Sequence, residues 1–262
     1  MINLPTQQLM AALEERFNLQ QIPRITGMLE ILAGSRAPEL APMQKLALPL
    51  FIPGISNYPW SSERYPWLET LERGYETILA ELDALIASGH QFGAYGPAYD
   101  RTDETIPAQD DMTVTGWRAF YFYRTGRRQD HACRLCPQTA ELLEQVPIGQ
   151  EALFSVLEPG AVIPEHTDGL NFFITCHLGL RVPPGCSIRV GDETRTWAPG
   201  KTILFNTSFL HAAENPSSER RIVLLVDVWH PELNQAEIEA ITFLRPLLER
   251  EFGLKPDTVE QA

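Results

Sequence analysis

His166 and Asp168 stand two residues apart in PEHTDG, and His211 follows 43 residues beyond Asp168 in FNTSFLHAAEN. On a strand, residues i and i+2 point to the same face, so an imidazole and a carboxylate so spaced can converge on one ion. Two imidazoles and one carboxylate make the facial triad of non-haem Fe(II) oxygenases, which leaves positions open for a co-substrate and O2. Zinc accepts the same ligands, so the triad alone does not choose the metal. An H-x-D pair also occurs in many chains that bind no metal, so a further feature is needed.

Arg221 is that feature. It lies ten residues beyond His211, at the start of the apolar run RIVLLVDVW. A guanidinium entering a buried strand is costly unless it meets an anion, and it holds a carboxylate through two parallel hydrogen bonds. A dicarboxylate could chelate the metal at one end and meet Arg221 at the other, as expected of a 2-oxoglutarate oxygenase. Arg220 competes for the same role. Alternation places Arg221 with Val223 and Leu225, and Arg220 with Ile222 and Leu224, and pattern alone does not choose between them.

The elements that must position these residues follow from periodicity. QQLMAALEERF carries Leu9, Met10, Leu13 and Phe17 at helical spacing. LETLERGYETILAELDALIASG repeats the pattern at Leu68, Leu71, Tyr75, Ile78, Leu79, Leu82 and Ile86, and stops at Gly89. Between them, Pro38 to Pro66 is too proline-rich for one element. Residues 91–112 read as a long surface loop, a length that is uncommon unless functional.

From residue 116 the period changes. GWRAFYFYR alternates like a strand, QTAELLEQV reads as a short helix, and ALFSVLEP, NFFITCHLGL, CSIRVG, ETRTWA, KTILFN and RIVLLVDVW read as strands. Short strands separated by turn residues indicate a sandwich or barrel. AEIEAITFLRPLLEREF closes the chain as a helix with an expected kink at Pro246. The expected layout is one domain over 1–262: helices and loops over 1–115, a β core over 116–230, and a helix and tail over 231–262.

Composition bounds the function. The 262 residues carry 34 acidic and 21 basic side chains, a net charge of −13. That balance argues against nucleic acid and anionic lipid as partners, since both demand clustered Lys and Arg. Cys133 and Cys136 form a lone C-x-x-C without the second pair a zinc ribbon needs, so structural thiols are expected. The first residues lack the basic and apolar regions of a signal peptide. The most apolar run, LALPLFIPGI, is broken by Pro49 and Pro53 and falls short of the ~20 residues that span a bilayer. A soluble cytoplasmic protein is expected.

SVLEPGAVIPEHTDG, CHLGLRVPPGCSIRVGDETRTWAPGKTILFNTSFLHAAEN and RRIVLLVDVWHPEL closely resemble the aspartyl/asparaginyl β-hydroxylase family. GWRAFYFYRTGRR, CPQTAELLEQVP and PGISNYPW match its upstream pattern, so the resemblance covers roughly residues 53–235. HLGL, W-x-x-G-K and DVWHPEL are the specific motifs. The resemblance implies a mainly β protein with flanking helices around a double-stranded β-helix, a cupin-like jelly roll. It implies Fe(II), 2-oxoglutarate and O2, with decarboxylation of 2-oxoglutarate coupled to hydroxylation of an unactivated C–H bond, commonly a β-carbon.

Residue by residue, the resemblance implies that His166 and His211 ligate iron and that Arg221 binds the distal carboxylate of 2-oxoglutarate. Ser155 matches a partner of that carboxylate. His177 matches a histidine near the iron-side carboxylate, and Trp117 a lining tryptophan. Two positions depart from the animal members. Asp168 supplies a carboxylate where those have Gly, which favours hydroxylation over halogenation. Thr175 stands where those have Arg, which puts an acidic protein side chain in doubt as substrate. A free or carrier-bound amino acid, a derived metabolite, a peptide and a protein side chain all stay open, as does the oligomeric state. Desaturation or cyclisation on the same scaffold is an alternative outcome, and a non-catalytic jelly roll that binds a metal or ligand is the alternative of another class. His230 and Asp227 read as structural, and His90 and His131 have no partner at a telling spacing. Residues 91–112 and PGISNYPW are candidate substrate covers.

Overall fold

The structure, a computed structural model, describes residues 6–46, 49–96, 99–101, 114–251 and 254–256. The N-terminal part holds α1 (Thr6–Glu14), α2 (Pro23–Leu32), β1 (Trp60–Ser61), α3 (Pro66–Arg73), α4 (Tyr75–Ala87), β2 (Gly93–Ala94) and β3 (Tyr99–Arg101). β4 (Trp117–Arg124), β5 (Arg127–Arg128), α5 (Asp130–Leu135) and α6 (Pro137–Leu143) follow. Then come β6 (Ile148–Leu157), β7 (Val162–His166), β8 (Phe173–Arg181), β9 (Ser187–Val190) and β10 (Glu193–Arg195). β11 (Thr202–Phe205), β12 (His211–Glu214), β13 (Arg221–Trp229), α7 (Gln235–Glu251) and β14 (Leu254–Pro256) complete the chain.

A larger sheet runs β1-β11-β8-β13-β6-β4-β2, with β5 paired to β4, and a smaller one runs β10-β9-β12-β7. All pairings within them are antiparallel. The inner faces share a core in which Leu157, Val223 and Phe205 of the larger sheet meet Ile163, Ile188, Val190 and Ala213 of the smaller. This is the double-stranded β-helix that the resemblance implies.

The long strands read as unbroken apolar runs because both of their faces are covered. On β13, Ile222, Leu224, Val226 and Val228 point outward, where Leu71, Ile78, Leu82 and Leu143 of α3, α4 and α6 cover them. Val223 points inward. Strand alternation therefore fixes which residues face the interior: Arg221 on β13, Ser155 on β6 and His177 on β8. A second group of helices, α1, α2 and α7, packs its apolar stripe on Phe172 and Phe173 at the sheet's end.

Several elements differ from expectation. The helix expected from Leu68 to Gly89 is two helices broken at Gly74. A Cβ there would lie 2.5 Å from Leu142 Cδ1, so α6 crosses closely only because the side chain is absent. The second of the two ends as expected, with Gly89 left-handed at φ +81°. α2 lies within the part expected to hold helices and loops, while α5 falls in a stretch where no helix was expected. α7 continues through Pro246 as one helix of 17 residues. In the expected loop at 91–112, Gly93–Ala94 pairs with β4 and Tyr99–Arg101 pairs with β14. Residues 97–98 and 102–112 of it lie outside the described residues. PGISNYPW is bonded into the framework: Pro59 O accepts from Asn206 N at 3.0 Å, and Trp60 pairs with Phe205.

Candidate active site

Two short strands carry the histidines. His166 closes β7 and His211 opens β12, directly opposite each other in the register of the smaller sheet. Their rings lie 4.1 Å apart between centroids. Each Nδ1 lies 2.9 Å from the carbonyl two residues earlier, Pro164 O and Phe209 O. A carbonyl only accepts, so both Nδ1 atoms carry the proton and both Nε2 atoms present a lone pair. Burial, then the neighbouring His166, lowers the pKa of His211 to about 4, so it stays neutral at pH 7, the state a metal ligand needs.

Asp168 is not on the strand with His166, as the i, i+2 reading supposed. β7 ends at His166, and Asp168 sits in the turn that follows. Thr167 shapes that turn: its Oγ1 lies 3.1 Å from Thr207 O and 3.0 Å from Ser208 O, and it accepts from Gly169 N at 3.1 Å. The backbone N–H of Asp168 also donates to Thr207 O at 2.9 Å. The turn swings the carboxylate back, so that Asp168 Oδ1 lies 3.9 Å from His166 Nε2. Ligand atoms of His166, Asp168 and His211 all lie within 4.8 Å of one another. The Asp168 side chain is 54% exposed, so the centre opens to solvent on its side. This donor set suits Fe(II) or zinc.

Arg221 lies on the inner face of β13 and is only 1% exposed. Its Nε and Nη1 have no hydrogen-bond partner among the described residues. Burial lowers its pKa to about 10, which still leaves it charged at neutral pH. A buried cation with unused donors is costly unless an anion joins it, so a carboxylate fits here. Arg220, the competitor, is exposed and donates to Glu158 at 2.9 Å, so geometry separates the two where pattern did not. Ser155 faces Val223 across the β6–β13 pair, one step diagonal from Arg221. Its Oγ accepts from Trp117 Nε1 at 3.0 Å, which leaves the hydroxyl proton free to donate. Trp117 also stacks on Tyr95 at 3.6 Å.

His177 is buried on β8 between Ile203 and Leu225. Burial, then Arg221 and His211, hold its pKa well below the ordinary value, so it is neutral. Its Nε2 has no partner among the described residues. Thr175, two residues earlier on the same face, donates to Asp227 at 2.6 Å. His230 is structural as expected, with Nε2 3.1 Å from Ser56 O. His90 packs edge-on against Phe120, away from the site.

Sequence reasoning missed three residues around the site. Trp197 was quoted within a motif but given no role. It donates from Nε1 to His177 Nδ1 at 3.1 Å, and its ring lies 4.8 Å from the Arg221 guanidinium. Glu151, 3% exposed, accepts from the Tyr95 hydroxyl at 3.2 Å. Burial, then Asp227, raises the Glu151 pKa to about 8. Tyr95 was never singled out, since its partners come from β4 and β6, distant in sequence.

Comparison with known proteins identifies the family. The family described as aspartyl/asparaginyl beta-hydroxylase matches residues 72–231. Human aspartate beta-hydroxylase domain-containing protein 2 is 36% identical over 206 residues, covering 74% of this chain and 53% of that protein. Human aspartyl/asparaginyl beta-hydroxylase is 33% identical over 183 residues, covering 64% of this chain and 23% of that protein. The chain thus spans about half the length of the first relatives it matches, and less of the second. A prolyl-4-hydroxylase from Pseudomonas putida aligns with a TM-score of 0.36 and 14% identity, over 66% of this chain and 93% of that one. With its matched segment running from α3 to the end of β13, the chain belongs to the aspartyl/asparaginyl β-hydroxylase family.

Proposed function

We propose that the protein is an Fe(II)- and 2-oxoglutarate-dependent dioxygenase. Its substrate would be an amino acid, an amino-acid-derived metabolite or a peptidyl residue, hydroxylated at an unactivated C–H, the β-carbon. One observation carries the reading: Arg221, buried with unused donors, lies on the inner face of the larger sheet, and the smaller sheet packed on that face carries a cluster of two imidazoles and one carboxylate. A zinc site alone gives no reason for that arginine. A dicarboxylate that also binds the metal gives one.

His166, Asp168 and His211 would hold the iron, each imidazole through Nε2. Bound there with 2-oxoglutarate and O2, iron supplies the oxidising power for C–H hydroxylation, with succinate and CO2 as co-products. The chain's own residues bind and orient. Arg221 and the Ser155 hydroxyl would take the far carboxylate, Arg221 as a fixed charge and Ser155 as a neutral donor. His177 Nε2–H would donate to the carboxylate nearer the metal. Trp117, Trp197 and Phe205 exclude water around these groups, which strengthens each charged hydrogen bond. We take residues 1–262 as one catalytic domain that acts without nucleic acid or membrane. Four buried, unpaired cysteines support the cytoplasmic assignment.

Anaerobic addition of Fe(II) and 2-oxoglutarate should produce the weak visible charge-transfer band of the chelate. In air, a screen of amino acids and peptides should release succinate with one of them, and the product should gain one oxygen. A product that instead loses two hydrogens would mark desaturation or cyclisation. No band and no succinate would overturn the enzyme reading.

A further inference from the structure

Trp197 lies in the segment between β10 and β11 and is almost fully buried in the core shared by the two sheets. It reaches that place because Gly179 has no side chain. The 198–200 segment crosses β8 there: Gly200 N donates to Gly179 O at 2.9 Å, and Pro199 bridges to Gly179. A Cβ on Gly179 would lie 2.5 Å from Ala198 O. The close crossing sets the indole beside His177, two residues earlier on the same face.

The indole N–H can only donate, so His177 Nδ1, 3.1 Å away, must accept with its lone pair. A neutral imidazole carries one ring proton, which is therefore on Nε2. That atom is buried and has no partner among the described residues. Without the indole the proton could sit on either nitrogen, and half of the choices would present a lone pair to an incoming carboxylate. The indole also meets Arg221, whose guanidinium lies 4.8 Å from the ring, within reach of a cation–π contact. One side chain thus touches both groups assigned to the two ends of the co-substrate.

We propose that Trp197 is a positioning residue for the dicarboxylate co-substrate: its N–H fixes His177 as a donor through Nε2, and its ring face orients Arg221. This rests on the co-substrate reading above and adds to it a residue that acts through His177 and Arg221. Trp197→Phe keeps an aromatic face and removes the N–H, while Trp197→Leu removes both.

The test has three measurements on the full chain. In nitrogen-15 NMR of the metal-free protein with labelled histidine, His177 should be protonated at Nε2 in the wild type and a mixture of tautomers in Trp197→Phe. The 2-oxoglutarate concentration that half-saturates the visible band should rise about tenfold in Trp197→Phe, the cost of one hydrogen bond to a charged group. It should rise about a hundredfold in Trp197→Leu, while the iron requirement of both stays within about twofold of wild type. An unchanged His177 tautomer, or an unchanged 2-oxoglutarate requirement in a folded Trp197→Phe protein, overturns the proposal. If the wild type itself gives no band, the co-substrate reading fails instead, and the NMR result still decides the tautomer.

Discussion

Arg221 carries a stability cost that only a ligand removes. Its charge is buried and two of its nitrogens are unsatisfied, so the unliganded fold bears their desolvation. Arg221→Met keeps the volume and removes the charge. We expect its thermal midpoint without co-substrate to equal or exceed that of wild type, since replacing a buried charge by an apolar side chain is often neutral or gains about 1–4 kcal/mol. On the proposed function, 2-oxoglutarate should stabilise the wild type by binding the native site, and the same variant should lose that stabilisation. Thermal melts with and without co-substrate read both effects, and a ligand-dependent rise that survives in Arg221→Met would refute the assigned role. Asp168 is the contrary case. It is half exposed and held by a turn, so Asp168→Ala should leave the melting temperature within about 1 °C while iron affinity falls at least about tenfold, measured by competition with a chelator. An unchanged iron affinity would remove Asp168 from the centre.

At the level of elements, the long strands were legible in the sequence and the two histidine-bearing strands were not. RIVLLVDVW and NFFITCHLGL are apolar on both faces, and such runs announce themselves. VIPEH and HAAE are four or five residues long, border solvent, and mix charges with small residues, so no period emerges. The histidines were found through spacing and motif, not through the apolar periodicity of the strands that hold them. The geometry of Asp168 was also outside reach, because it depends on Thr167 meeting carbonyls some 40 residues away. The HLGL glycine shows what a motif can hide. Gly179 marks the crossing that brings Trp197 to His177, which no local pattern reveals. Gly179→Ala would force its Cβ against backbone at Ala198, and we expect about 1–3 kcal/mol of destabilisation by denaturant titration. The added strain falls on the segment carrying Trp197, so the 2-oxoglutarate requirement should rise as well. A destabilised variant with an unaltered requirement would show that the crossing serves the fold alone.

Across the whole molecule, the formal charge of −13 counts carboxyls that are not all ionised at neutral pH. Glu151 is buried and Asp227 half-buried on the inner side of the larger sheet, and the field of Asp168 reaches both. Burial raises Glu151 to about 8 and Asp227 to about 7, the latter partly opposed by the hydrogen bond from Thr175. Keeping Glu151 protonated leaves Asp168 as the main negative charge beside the two imidazoles, a balance suited to a divalent ion. The linkage to folding has a definite sign. A carboxyl whose pKa is raised on folding holds its proton in the native state where the unfolded chain has already released it. Stability from these groups is therefore greatest below the ordinary carboxylate range and falls as pH rises toward about 8. The buried His211 and His177, whose pKa values are lowered, act in the opposite sense up to the ordinary histidine range. For metal-free protein we therefore expect the thermal midpoint to drop by at least about 3 °C between about pH 6.5 and about pH 8. Glu151→Gln keeps the shape and the contact with Tyr95 and cannot ionise, so its midpoint should fall less over the same range. Equal slopes for wild type and Glu151→Gln would show that Glu151 is already ionised in the native fold, and the charge balance argued for the metal centre would fail with it.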